Sequence, residues 1–136
     1  QQAEVQLDGE PVRVRYSFLD MGEIQQVFDG DEFTFVRTAE VNPLVIELLF
    51  PRPRRLSGLD LIIGSAEVEI TAETSGSRAP SERQFTIRAK GSLEQPQVHL
   101  DFGESVAVQQ MRINLLDRSD QDPAHVHLWE IYFNGN

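Results

Sequence analysis

Cysteine is missing from all 136 residues, which excludes a disulfide framework and any thiolate metal site. A fold without such staples holds by its core alone, or by its core and a bound metal. Positive charge is scarce: 12 Lys and Arg stand against 22 Asp and Glu, for a net charge of −10. A field of that sign repels a phosphate backbone, so nucleic acid is not an expected partner. Long apolar runs are lacking as well. The longest, Leu44 to Phe50, is interrupted by Glu47 and is too short to cross a bilayer, so no membrane insertion by this domain is expected. Aromatic residues are only 8%, which leaves few side chains for a stacking platform. No stretch offers room for a helix of ordinary length; Ser17–Val27 has space for a turn or two, and its Met21-Gly22 argues for a loop.

What is present is period-two alternation. Ala3 to Leu7 alternates, Asp8-Gly9-Glu10-Pro11 turns, and Val12 to Tyr16 alternates again, which predicts an opening hairpin. Leu44, Ile46, Leu48 and Phe50 follow the same period, as do Leu59, Leu61 and Ile63, then Val98, Leu100 and Phe102, then Met111, Ile113 and Leu115. About eight such strands, separated by Gly, Pro, Asp and Ser, predict an all-β antiparallel two-sheet sandwich of the jelly-roll kind. Leu48, Leu61, Ile113 and Ile131 are expected in its core. Residues 1–136 fit one domain, and a chain opening on Gln is expected of a processed product or a domain cut from a larger protein. Two stretches look alike, Asn42 to Phe50 and Gln95 to Gly103, each an amide and Pro followed by a strand. They predict two equivalent strand–turn–strand units facing each other. Thr74–Arg83 and Asp117–Ala124 are the expected polar loops, and Pro51 to Arg55 is expected to be a stiff, solvated turn with a basic tip.

The most informative local feature is Asp29-Gly30-Asp31-Glu32-Phe33-Thr34. It sets two carboxylates on one tight arc of backbone, with a hydroxyl and carbonyls close by, the hard oxygens calcium prefers. An EF-hand fails, because Phe33 and Thr34 stand where an oxygen ligand and the invariant Gly belong. On the local chemistry alone, an ordinary Asp-Gly turn is favoured over a metal site.

Asp29-Gly30-Asp31-x-x-Thr34 resembles the signature of discoidin (coagulation factor type C), or galactose-binding-like, domains and related bacterial carbohydrate-binding modules. Pro43 to Phe50 is similar to the apolar strand that follows in that family, with Phe50-Pro51 in place of Leu-Gly. Leu128-Trp129-Glu130-Ile131-Tyr132-Phe133 is similar to its closing strand. The elements run in the family's order from about Val27 to Asn136; Phe35 stands where a Trp is usual. The resemblance implies a galactose-binding-like jelly roll whose structural calcium ion is shared by Asp29, Asp31, Thr34 and Glu130. Along the last strand, Trp129, Ile131 and Phe133 are expected on the core face and Glu130 on the other.

His125 and His127 fall on one side of an extended chain near Asp120 and Asp122, a set zinc can use; two surface or ligand-contact histidines are the expected reading. No Gly-x-Ser-x-Gly elbow and no phosphate-cradling loop occurs, so the domain is not expected to be an enzyme. Asp101-Phe102-Gly103 is expected to be a strand end. The resemblance implies a non-catalytic carbohydrate-binding accessory module of a larger extracytoplasmic or cell-surface protein, with a glycan as partner. The alternative is a structural or protein–protein interaction domain, with a protein partner and no sugar site. No ligand-binding residue is assigned from the sequence; Phe33, Arg37, His125 and His127 are the loop residues to examine first.

Overall fold

The computed structural model describes residues 1–39, 41–64, 67–76, 83–90, 97–118 and 125–135. Nine strands and one short 3-10 turn account for most of them. The strands are β1 (Gln2–Leu7), β2 (Glu10–Tyr16), β3 (Leu19–Met21), β4 (Val36–Thr38), β5 (Leu44–Ile63), β6 (Glu67–Ser75), β7 (Arg83–Lys90), β8 (Gln97–Asp117) and β9 (His127–Asn134), with the turn at Ile24–Val27. All their pairings are antiparallel. The β1–β2 hairpin closes through Asp8 and Gly9 at φ 52° and 79°. Both lie in the left-handed region, so the twist of the turn matches that of its strands.

The two look-alike stretches are not strand–turn–strand units facing each other. Each opens a single long strand, β5 of 20 residues and β8 of 21, and the two pair side by side for most of their length. Their partners change along the way. Arg13 of β2 pairs with Leu49 in the first half of β5, whereas Ile131 of β9 pairs with Leu61 in the second. Both strands therefore pass from one layer of the sandwich to the other. One layer runs β1-β2-β5-β8-β6-β7 and the other β3-β4-β9-β5-β8.

The crossing points are bends within the strands. Pairing of β5 with β8 shifts register between Leu49 and Arg54, so Pro51 to Arg55 stays in the strand where a turn was expected. Its arginines strap the first hairpin to the bend: Arg52 pairs with Glu10 and Arg54 with Asp8. On β8 the bend is Asp101-Phe102-Gly103, mid-strand and not a strand end. Gly103 sits at φ 76° and donates its amide to Asp101 Oδ1 at 2.8 Å.

Alternate residues of both layers meet in one core. Leu48, Leu61, Ile113 and Ile131 all lie in it, as the periodicity predicts. Of the expected polar loops, 77–82 and 119–124 lie outside the described residues, while Thr74, Ser75 and Asp117 belong to strands.

Candidate functional site

Alternation places the outward residues of β4 and β9 beside each other. Val36 pairs with Leu128 and Arg37 with His127. Val36, Thr38, Val126 and Leu128 are buried, so Phe35, Arg37, His127 and Trp129 emerge together on the other face. Here the last strand departs from its expected phase. Glu130 pairs with Ile62 but Leu128 with Ile63, leaving Trp129 as the extra residue of a bulge. Ile131 and Phe133 still turn to the core; Trp129 does not. Its ring lies 5.0 Å from that of Phe35 and 6.4 Å from that of His127, and Phe35 and His127 are 5.8 Å apart.

Gly64 makes this aromatic shelf possible. A Cβ at that position would lie 2.2 Å from Trp129 Cζ3 and 2.9 Å from His127 Cβ. Beside the shelf, Asp20 accepts two hydrogen bonds from Arg37, at 2.8 and 2.9 Å. That bidentate pair holds the Asp20 carboxyl below the usual carboxylate range. Burial lowers the pKa of His127, and the nearby Arg37 charge lowers it further, so its imidazole is neutral at physiological pH. His125 turns to the backbone instead, with Nδ1 2.6 Å from the Thr38 carbonyl oxygen. Asp120 and Asp122, weighed with these histidines as zinc ligands, lie outside the described residues.

The same two segments, loop and last strand, meet a second time on the other side of the bulge. Glu130 faces away from Ile131 as expected, yet it is buried, 1% exposed. Its Oε2 accepts a hydrogen bond from the Gly30 amide at 2.9 Å, bridging 100 residues of sequence. Its Oε1 is buried with no hydrogen-bond partner among the described residues. Around Gly30, at φ 80°, the loop winds on its own carboxylates. Asp29 Oδ1 accepts from the Asp31 amide and Asp31 Oδ1 from the Phe33 amide, each at 2.9 Å, while the Thr34 hydroxyl donates to the Asp31 carbonyl at 3.4 Å. Tyr132 donates its hydroxyl to Glu32 Oε1 at 2.9 Å.

The Gly30–Glu130 hydrogen bond thus sets the Asp29–Thr34 loop against the last strand. Among the described residues no three His, Asp or Glu side chains converge closely enough to hold a metal ion. The donors nonetheless fit calcium in kind, being hard oxygens with one buried carboxylate oxygen left without a partner.

Burial, aided by the charges of Asp29, Glu32 and Asp31, pushes the Glu130 carboxyl up to about 7 from its ordinary 4.5. The folded chain therefore holds this proton more tightly than the unfolded chain. In chelator, the Glu130 contribution to stability is complete below pH 4.5 and is lost as pH rises through about 7. Glu130→Gln keeps an acceptor for the Gly30 amide without the charge. Its melting temperature is expected to exceed that of wild type increasingly as pH rises through this window. Parallel melting curves for the two proteins would rule this out.

Of the residues singled out in the sequence, Arg37 and His127 belong to the shelf and His125 lies behind it. Phe33 stands apart at the loop tip, 91% exposed. The sequence reading missed Phe35, Trp129 and Gly64. Trp129 is the only tryptophan, which was a signal, but its alternation phase assigned it to the core.

No protein-family model matches the sequence, and no curated protein matches it. Solved structures do. The chitosan-binding module 1 of a chitosanase/glucanase from Paenibacillus sp. IK-5 superposes with a TM-score of 0.67 at 16% identity, over 90% of this chain and 93% of that one. A pectin-binding carbohydrate-binding module gives 0.66 at 12%, over 90% and 88%. The C-terminal domain of a chitobiase from Bacteroides fragilis gives 0.67 at 11%, over 92% and 93%. The fold is therefore the β-sandwich of these carbohydrate-binding modules.

Proposed function

We propose that this chain is a non-catalytic carbohydrate-binding module, the accessory domain of a larger secreted or surface protein. The observation that carries the reading is the outward shelf of Phe35, Trp129 and His127 beside the Arg37–Asp20 pair. A sugar ring presents an apolar face that stacks on aromatics and an equatorial rim of hydroxyls that bridges charged pairs, and the shelf supplies both. The binding functions of the fold's solved relatives, for chitosan in one case and pectin in another, support the same class of ligand.

In this reading Asp29, Asp31, Thr34 and Glu130 hold a structural calcium ion. Calcium there supplies no chemistry to a substrate; it neutralises Glu130 and ties the first loop to the last strand. Because Thr34 and Glu130 are the sequence neighbours of Phe35 and Trp129, that tie also fixes the spacing of the shelf.

The test is a glycan array followed by titration of each hit. Trp129→Ala is expected to reduce binding at least tenfold, about 1.4 kcal/mol, with the melting temperature little changed. Gly64→Ala, which drives a methyl into the indole, should weaken binding as well. No turnover of chromogenic glycosides is expected from the purified domain. Binding that survives Trp129→Ala would remove the shelf from the function. A second reading, a protein–protein interaction domain, draws on the exposed Phe33; it is favoured if no glycan binds.

A further inference from the structure

The outer surface of the first layer is concave and forms a groove of about 1200 Å³ on the face away from the core. Strand register arranges its polar side chains in rows. One row crosses all six strands: Gln2, Arg15, Glu47, Arg112, Glu73 and Gln84 are successive cross-strand partners. At about 4.8 Å between strands, such a row spans roughly 24 Å. A second row sets Arg13 beside Leu49 and Gln110.

Four guanidinium groups, of Arg13, Arg15, Arg83 and Arg112, line this groove against three carboxylates, of Glu4, Glu47 and Glu73. Arg83 is also paired with Glu104 at 3.7 Å, so the groove is close to balanced in charge in a chain that carries −10 overall. Its ion pairs are loose. Glu47 is shared between Arg15 at 4.0 Å and Arg112 at 3.9 Å, and both arginines stay more than half exposed. Arg13 has no ion-pair partner among the described residues. The guanidiniums of Arg13, Arg15 and Arg112 keep most of their donors available. Among the described residues no aromatic side chain lines the groove, which gives ring stacking no part in holding the ligand. Leu49, 38% exposed, is the one large apolar side chain open to solvent there among the described residues.

We infer that this groove binds an extended acidic polysaccharide, a linear chain of uronic acids lying across the strands. Its carboxylates would take the bidentate donors of Arg13, Arg15 and Arg112, since a guanidinium fork matches a carboxylate. Its hydroxyls would donate to Glu47 and Glu73, which lie between the arginines. A neutral glycan leaves the arginines without an anion, and a highly sulfated one has few hydroxyls for the glutamates. The site is on the opposite layer from the Trp129 shelf and is independent of it.

The experiment is calorimetric titration of the whole domain with a linear oligogalacturonate and with its fully methyl-esterified counterpart. The acid is expected to bind, the ester at least tenfold more weakly, and added salt should weaken the acid only. Arg13→Ala and Arg112→Ala should each reduce acid binding about tenfold, while Arg112→Lys retains part of it. Both sites are exposed, so circular dichroism and melting should match wild type. Trp129→Ala should leave acid binding intact, which separates this groove from the shelf. Equal binding of acid and ester, no binding of the acid, or loss through Trp129→Ala with no effect of the arginine variants would each overturn the inference.

Discussion

Chelation is expected to lower the melting temperature of this domain by roughly 8 °C, and calcium to restore it. Asp29 and Asp31 share one short arc, and Glu130 brings a third carboxyl beneath it, held by the Gly30 amide and desolvated. These like charges repel, and a divalent cation relieves the repulsion. It also closes a loop of 100 residues in a chain without cysteine, where a cross-link has most unfolded-state entropy to remove. A ligand that binds only the folded state adds about 2.7 kcal/mol at a hundredfold excess over its Kd. For a chain of this length that corresponds to the stated shift. Asp29→Ala and Glu130→Ala should abolish the difference between chelator and calcium. A melting curve that is the same in both would make the Asp-Gly-Asp loop a plain turn.

Phe50→Ala should cost more, about 3–5 kcal/mol, because a large buried ring leaves a cavity the sandwich cannot close. Phe50 is 1% exposed and sits at the bend where β5 passes between layers. Its ring meets that of Phe133 edge-on at 5.9 Å, and the Arg54 guanidinium lies 5.4 Å from its centroid. Phe133 in turn stacks on Phe28, next to the Asp29 loop, with 6.1 Å between ring centres. The same ring thus supports the bend and the loop. Leu49→Ala, one residue away and half exposed, should change stability by no more than about 0.5 kcal/mol. Urea unfolding with an unchanged m-value checks both. Equal losses at the two positions would contradict this account of the bend.

Much of the fold was legible because burial in a strand leaves a period-two mark. Val12, Val14, Ile46, Leu48, Ile113 and Leu115 are buried in that phase. The hairpin was legible for a similar reason, since Asp8-Gly9 carries the turn chemistry locally. Where the chain bends without leaving a strand, the same signals misled. Pro51, Pro53 and Gly103 mark a change of direction, and nothing local distinguishes a loop from a strand that continues into the opposite layer.

The candidate site divides along the same line. Asp29, Asp31 and Thr34 could be named from their own motif, and Glu130 from the order of motifs in a family it resembles. That Glu130 is buried and hydrogen-bonded to Gly30 is decided by the packing of the loop over β9. The shelf was hidden because a single extra residue in β9 reverses the facing of Trp129, and a bulge is set by the neighbouring strand's pairing. The groove was hidden because its rows exist only across strands. The amino-acid sequence by itself determined which residues alternate and where turns are permitted, since both depend on near neighbours. Tertiary structure alone decided which outward side chains stand together, since strand register joins residues far apart in the chain.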